Sequence, residues 1–153
     1  MDNVERISLE EYFMKIAHVV AERSTCFRNN VGAVIVKNKH IVSTGYNGAP
    51  RGIEHCLDIG CYRKEHNVPS GQKHELCRAV HAEQNAIIQA SLNGASTEDA
   101  VLFCTHSPCI ICAKMIINAK IKKVYYANEY ADQNAMDYFK EVGVEVEHMP
   151  FIE

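Results

Sequence analysis

Residues 101–127, VLFCTHSPCIICAKMIINAKIKKVYYA, hold the strand–helix–strand passage that decides the architecture. Val101–Thr105 is an apolar run of strand length. Ser107-Pro108 reads as a cap followed by proline at the first helical position, and Met115, Ile116 and Ile117 continue that helix. Ile121–Ala127, β-branched and aromatic, returns as a second strand. Upstream, Ala79, Val80, Ala86, Ile87 and Ala90 recur at helical spacing as far as Asn93-Gly94, a natural stop, so His81 is expected on a helix. Val31–Val36 and Ile41–Gly45 form a hairpin joined by Lys37-Asn38-Lys39-His40, and Ser8-Leu9-Glu10-Glu11 starts a first helix over 9–22 like a capping box. Downstream, 132–142 reads as a helix stopped at Gly143, and 144–149 alternates as a half-exposed strand. The order αββαβαβαβ implies an α/β fold, a mixed sheet covered by helices on both faces. From Asn47 to about Lys73 no period survives, and so long an irregular insertion calls for a binding loop or a local staple.

At 153 residues the chain is one domain, 1–153, able to bury a core unaided. With 47% hydrophobic and 23% charged residues, and no apolar run long enough for a bilayer, it reads as soluble and globular. Its start lacks the basic segment and apolar stretch of a secretory signal, which points to the cytoplasm. Disulfides are disfavoured there, so seven cysteines are better explained as metal ligands. A net charge of -3 with dispersed Lys and Arg leaves no footprint for a nucleic acid polymer and favours a small ligand.

Two short motifs carry the chemistry. Cys109 and Cys112, three apart in the first turn of a helix, can aim both sulfurs at one point, and His81 can supply a third ligand. Three protein ligands leave the fourth position of a tetrahedral zinc for water, which distinguishes a catalytic from a closed site. The positive end of a helix favours thiolate over thiol, and water on such a zinc ionises at a pKa of roughly 7. Glu83 follows His81 by two residues, off the ligand vector but beside the metal, where it can shuttle protons from water to a ring nitrogen and to a leaving amine. His-x-Glu with Pro-Cys-x-x-Cys is the known pattern of zinc base deaminases, and both halves occur here in order. Cys104, inside an apolar strand, reads as a small buried side chain.

Thr44-Gly45-Tyr46-Asn47-Gly48-Ala49-Pro50, Cys77–Ile87 and Ser107–Lys114 closely resemble the deoxycytidylate (dCMP) deaminases of the zinc-dependent cytidine/deoxycytidylate deaminase family, through nearly the whole chain. The resemblance implies a three-layer α-β-α fold with a five-stranded sheet of order 2-1-3-4-5, and hydrolysis of dCMP to dUMP and ammonia, a supply of thymidylate precursor. It implies zinc on His81, Cys109 and Cys112, Glu83 as proton shuttle, and substrate contacts from Asn47 and Ala82. A homohexamer activated by dCTP and inhibited by dTTP is implied too, the effector lying at Asn47, Gly48 and Arg51 with Mg²⁺ possible on its phosphates. For the substrate's 5′-phosphate, the segment 23–30 is the best source of donors, with Arg28 as the choice. Tyr126 and Tyr130 are candidates for the pocket wall, although a strand tyrosine is more often packing.

Cys26, Cys56, Cys61 and Cys77 remain, a set of four suited to a second, structural zinc that would order the irregular insertion. His55, His66 or His74 could replace one of them, His74 being preferred for its spacing from Cys77; four unconnected thiols is the alternative. Two rival functions stand beside dCMP deamination. One is another zinc deaminase, acting on cytidine, guanine or tRNA adenosine. The other is a zinc-stabilised nucleotide-binding module without catalysis, against which the unligated Glu83 argues.

Overall fold

The computed structural model describes residues 5–26, 29–69, 77–129 and 132–151. In chain order the elements are α1 (Leu9–Ala21), β1 (Gly32–Lys37), β2 (His40–Tyr46), α2 (Cys56–Ile59), α3 (Tyr62–Glu65), α4 (Ala82–Leu92), β3 (Val101–His106), α5 (Ile110–Asn118), β4 (Lys123–Asn128), α6 (Gln133–Val142) and β5 (Glu145–His148). The strands form one sheet of order β2-β1-β3-β4-β5. β1 is antiparallel to β2 and to β3, while β3, β4 and β5 are parallel, so the expected mixed sheet is present with the expected order.

Alternation along the strands sorts the core into two clusters. Val34, Val36, Phe103 and Tyr125 face α1, where Phe13, Met14 and Ala17 meet them. Ala33, Ile35, Leu102, Cys104 and Val124 face α4, α5 and α6, against Ala82, Ala86, Ile116 and Phe139. β1 is buried on both faces, which is why its sequence reads as an unbroken apolar run rather than an alternating one. Helix ends follow local chemistry: Ser8 Oγ accepts from the Glu11 amide at 3.1 Å, and α6 stops at Gly143 in the left-handed region.

Two glycines set how closely the layers approach. A Cβ on Gly32 would lie 2.1 Å from the Ala17 carbonyl oxygen in α1, and one on Gly45 would lie 2.3 Å from the Ala82 oxygen and 2.4 Å from the Ala86 nitrogen in α4. Ala33 pairs with Gly45 and Gly32 with Tyr46, so α1 and α4 grip the sheet from opposite faces at the same level.

The sequence reading needs correction at four places. The hairpin turns through two residues, Asn38 and Lys39, both at positive φ, rather than four; this twist matches that of the strands it joins. The 47–73 insertion is not structureless: it holds the single-turn helices α2 and α3. α4 begins at Ala82, with His81 outside it as the N-cap, because the His81 amide is taken by the Gln84 side chain at 2.9 Å. α5 begins at Ile110 and Cys109 is its N-cap, two residues later than the Ser107-Pro108 reading; the Asp132 carboxylate accepts from the Ile110 amide at 2.7 Å and fixes that start.

Candidate active site

α4 and α5 both start just beyond the carboxyl end of β3, and their N-cap side chains turn toward each other. His81 Nδ1 lies 3.2 Å from Cys112 Sγ and 3.5 Å from Cys109 Sγ. Among the described residues these three form the one group of three or more metal donors whose ligand atoms all lie within 4.8 Å of one another. A tetrahedral zinc with bonds of about 2.3 Å to sulfur and about 2.0 Å to nitrogen needs N···S separations of roughly 3.6 Å, so this cradle fits the ion. The three come from two helix starts, where unpaired N–H groups and the positive helix end favour anionic sulfur.

Hydrogen bonding within the cradle sorts its protons. Cys112 donates to Cys109, and this bond, helped by His81, holds the Cys109 thiol down to about 3 in spite of burial. The same bond, together with burial, pushes Cys112 up. Burial draws the His81 imidazole down, but its hydrogen bond to Cys109 and the negative charges of Cys109 and Glu83 outweigh that and leave it raised. The pair of sulfurs therefore shares one proton beside an imidazole, a state ready to exchange protons for a cation.

Glu83 is 4% exposed and sits on the first turn of α4 beside the cradle. Burial raises its pKa, against the lowering effects of a hydrogen bond to Cys112 and of His81. A carboxyl raised in this way holds a proton more readily than a free one, as a group that both takes and gives protons must. It opens, with His81, Ala82 and Cys109, into a cavity of about 120 Å³.

Asn47, 7% exposed, lies on the wall of that cavity. Its Oδ1 accepts from the Val31 amide at 2.9 Å and its Nδ2 donates to the Asn29 carbonyl at 2.7 Å, so the side chain pins the loop after β2 to the start of β1. Gly48 and Val80 form an isolated antiparallel bridge that brings the loop back to the start of α4. Arg51 is exposed and does not line the cavity. Tyr126 does not line it either: its ring stacks on His148 at 4.9 Å, which makes it packing rather than pocket wall. Arg28, Tyr130 and His74 lie outside the described residues.

The surplus thiols are gathered, though less tightly than the cradle. Cys26, Cys56 and Cys61 are buried and Cys77 is half-buried; the pKa of Cys56 is raised by burial and then by the charges of Cys26, Cys77 and Cys61. None of the seven cysteines is in a disulfide. Cys104 is fully buried beneath the site, as its apolar strand suggested.

The family model described as "Cytidine and deoxycytidylate deaminase zinc-binding region" matches residues 7–128. The chain belongs to the cytidine and deoxycytidylate deaminase family. The ComE operon protein 2 of Bacillus subtilis is 44% identical over 147 residues, 95% of this chain and 74% of that protein. The deoxycytidylate deaminase of Saccharomyces cerevisiae is 35% identical over 97% of this chain, which spans 47% of the yeast protein. Among solved structures, dCMP deaminase from the cyanophage S-TIM5 in complex with dCMP and dUMP superposes with a TM-score of 0.79 at 38% identity, covering 95% of this chain and 100% of the other. His81, Cys109 and Cys112 all fall inside the matched zinc-binding region.

Arg63, His106 and Ser107 are among the cavity residues that escaped the sequence reading. Arg63 sits in the insertion, where an arginine ordinarily reads as solvated. His106 ends β3, its Nδ1 3.0 Å from Thr105 Oγ1 and its pKa lowered by burial and by His18. Ser107, read from sequence as a helix cap, is instead a wall residue whose amide donates to the Asn128 carbonyl at 3.0 Å.

Proposed function

We propose that the protein hydrolyses dCMP to dUMP and ammonia. The observation that carries this reading is the buried Glu83 carboxyl beside the His81, Cys109 and Cys112 cradle at the floor of a cavity. A solved relative holding dCMP and dUMP at 38% identity supports the choice of base and phosphate.

His81 Nδ1 and the two sulfurs would hold zinc, which when bound supplies Lewis acidity and a water of lowered pKa. Glu83 accepts the proton of the attacking water on a carboxylate oxygen and delivers it to N3 of cytosine. It then transfers the second water proton to the exocyclic amine at C4, which departs as ammonia and leaves the C4 carbonyl of uracil. The Ala82 amide is the first N–H of α4, one of the donors a helix start leaves without an intrahelical acceptor, and it takes the base carbonyl. Asn47 forms the wall against base and sugar and holds that wall through its bonds to residues 29 and 31.

Our reading extends to a cytoplasmic homohexamer activated by dCTP and inhibited by dTTP, the effector with Mg²⁺ at Asn47, Gly48 and Arg51. Exposed Ile53, Leu57, Ile59 and Tyr62 on the insertion are the kind of surface that subunits cover. A second, structural zinc on Cys26, Cys56, Cys61 and Cys77 would staple the insertion; the gathering of three thiols around Cys56 supports it. No helix among the described residues is long and apolar enough to cross a membrane. The test is ammonia release from dCMP, deoxycytidine and CMP by zinc-loaded protein. A preference for dCMP is expected, and a preference for deoxycytidine would sink the substrate assignment.

A further inference from the structure

Arg63 is 6% exposed, while the other three residues of α3, Tyr62, Lys64 and Glu65, all face solvent. Arginine is among the residues least often buried to this extent. Here it is withdrawn onto the wall of the cavity that His81, Glu83 and Asn47 also line. Its backbone is fixed: Cys61, 3% exposed, caps α3 on one side, and on the other the Val68 amide donates to the Arg63 carbonyl at 2.7 Å. His81 and Cys109 line the same cavity, so guanidinium and metal cradle belong to one ligand-sized space.

Arg63 is the only permanent cation among the described residues lining the cavity. An anionic group on a ligand is drawn to Arg63, which orients the ligand with its base at Glu83. A planar guanidinium fork also matches phosphate oxygens two at a time.

We propose that the Arg63 guanidinium is the anchor for the 5′-phosphate of the substrate, and thereby the residue that selects nucleotide over nucleoside. This rests on the dCMP reading. It replaces Arg28, the sequence-based choice, as the principal anchor, and it accounts for the insertion, since α3 carries the phosphate contact to the cavity.

The experiment compares kcat/KM for dCMP and for deoxycytidine in zinc-loaded wild type, Arg63→Gln, Arg63→Lys and Arg28→Gln. If wild type does not prefer dCMP, the substrate reading fails before Arg63 is at issue. Given that preference, Arg63→Gln should lower the dCMP-to-deoxycytidine ratio by roughly 10- to 150-fold, the value of a hydrogen-bonded charge, chiefly through KM for dCMP. Arg63→Lys, keeping the charge without the fork, should fall between wild type and Arg63→Gln. A merely structural arginine would lower both substrates together and leave the ratio unmoved, which overturns the proposal, as does a ratio lost in Arg28→Gln alone. Should Arg63→Gln fail to fold, Arg63→Lys decides: a wild-type ratio there overturns the assignment and a lowered one upholds it.

Discussion

Gly45→Ala should cost the protein its zinc, although Gly45 lies on a strand and touches no ligand. The added Cβ would stand 2.3 Å from the Ala82 carbonyl oxygen and 2.4 Å from the Ala86 nitrogen, where 3.4 Å is ordinary contact. Both are backbone atoms of α4 and cannot swing aside, so the first turn of the helix must retreat from the sheet by about 1.1 Å. His81 precedes that turn and Glu83 belongs to it, whereas Cys109 and Cys112 stay with α5. Metal–ligand distances tolerate deviations of only about 0.2 Å, so the cradle opens and affinity should fall by about 10- to 100-fold, as for other changes that displace a ligand's support. Overpacking should also cost about 1–3 kcal/mol, or roughly 2–12 °C in Tm for a chain of this size. Gly32→Ala is the matched control, since its Cβ meets α1 backbone at 2.1 Å on the opposite face. It should lose comparable stability and keep wild-type zinc affinity in competition with a chromophoric chelator. Unaltered zinc affinity in Gly45→Ala, or equal losses in both variants, would refute the idea that Gly45 sets the position of His81.

Glu83→Gln should retain zinc and lose at least about 10²-fold in dCMP turnover, read as ammonia released. The same substitution should stabilise the metal-free protein against urea. Burial raises the Glu83 pKa in the folded state, so its penalty on folding is complete above that raised pKa and vanishes below the ordinary 4.5. The advantage of Glu83→Gln over wild type should therefore grow as pH rises from 4.5; an advantage that shrinks would be the wrong sign. Asp132→Ala removes the acceptor for both Ile110 N and Ala135 N, and should cost about 1–2 kcal/mol in urea unfolding, with slower recovery of zinc after chelation. Zinc per chain, measured by atomic emission in fully loaded protein, should be near two and fall to near one in Cys56→Ser; a wild-type value near one removes the second site.

Most of the sheet was legible because β1, β3 and β4 are apolar on both faces and separated by amphipathic or punctuated segments. The group His81, Glu83, Cys109 and Cys112 was legible because its residue types and spacings are those a zinc site with a neighbouring proton carrier would need. What failed depended on distant partners. The start of α5 is fixed by Asp132, far along the chain, so local cap chemistry at Ser107-Pro108 pointed two residues early. Tyr126 looks like a wall residue until β5 pairs with β4 and sets His148 opposite it. α2 and α3 have four residues each, too few to show a helical period. Arg63 lies on such a turn, and nothing local distinguishes a buried arginine from a solvated one.

The Gly48–Val80 bridge, with amide-to-carbonyl bonds of 3.1 and 2.7 Å, clasps the insertion where it leaves and rejoins the body. With both ends held, the closure entropy of the chain between them changes by only about 0.6 kcal/mol per doubling of its length. The part of the protein that would choose among nucleotides can therefore be exchanged as a cassette while the metal cradle on α4 and α5 keeps its place. On these grounds, new substrate preferences within this architecture should arise by replacing the clasped segment rather than by retouching the ligands.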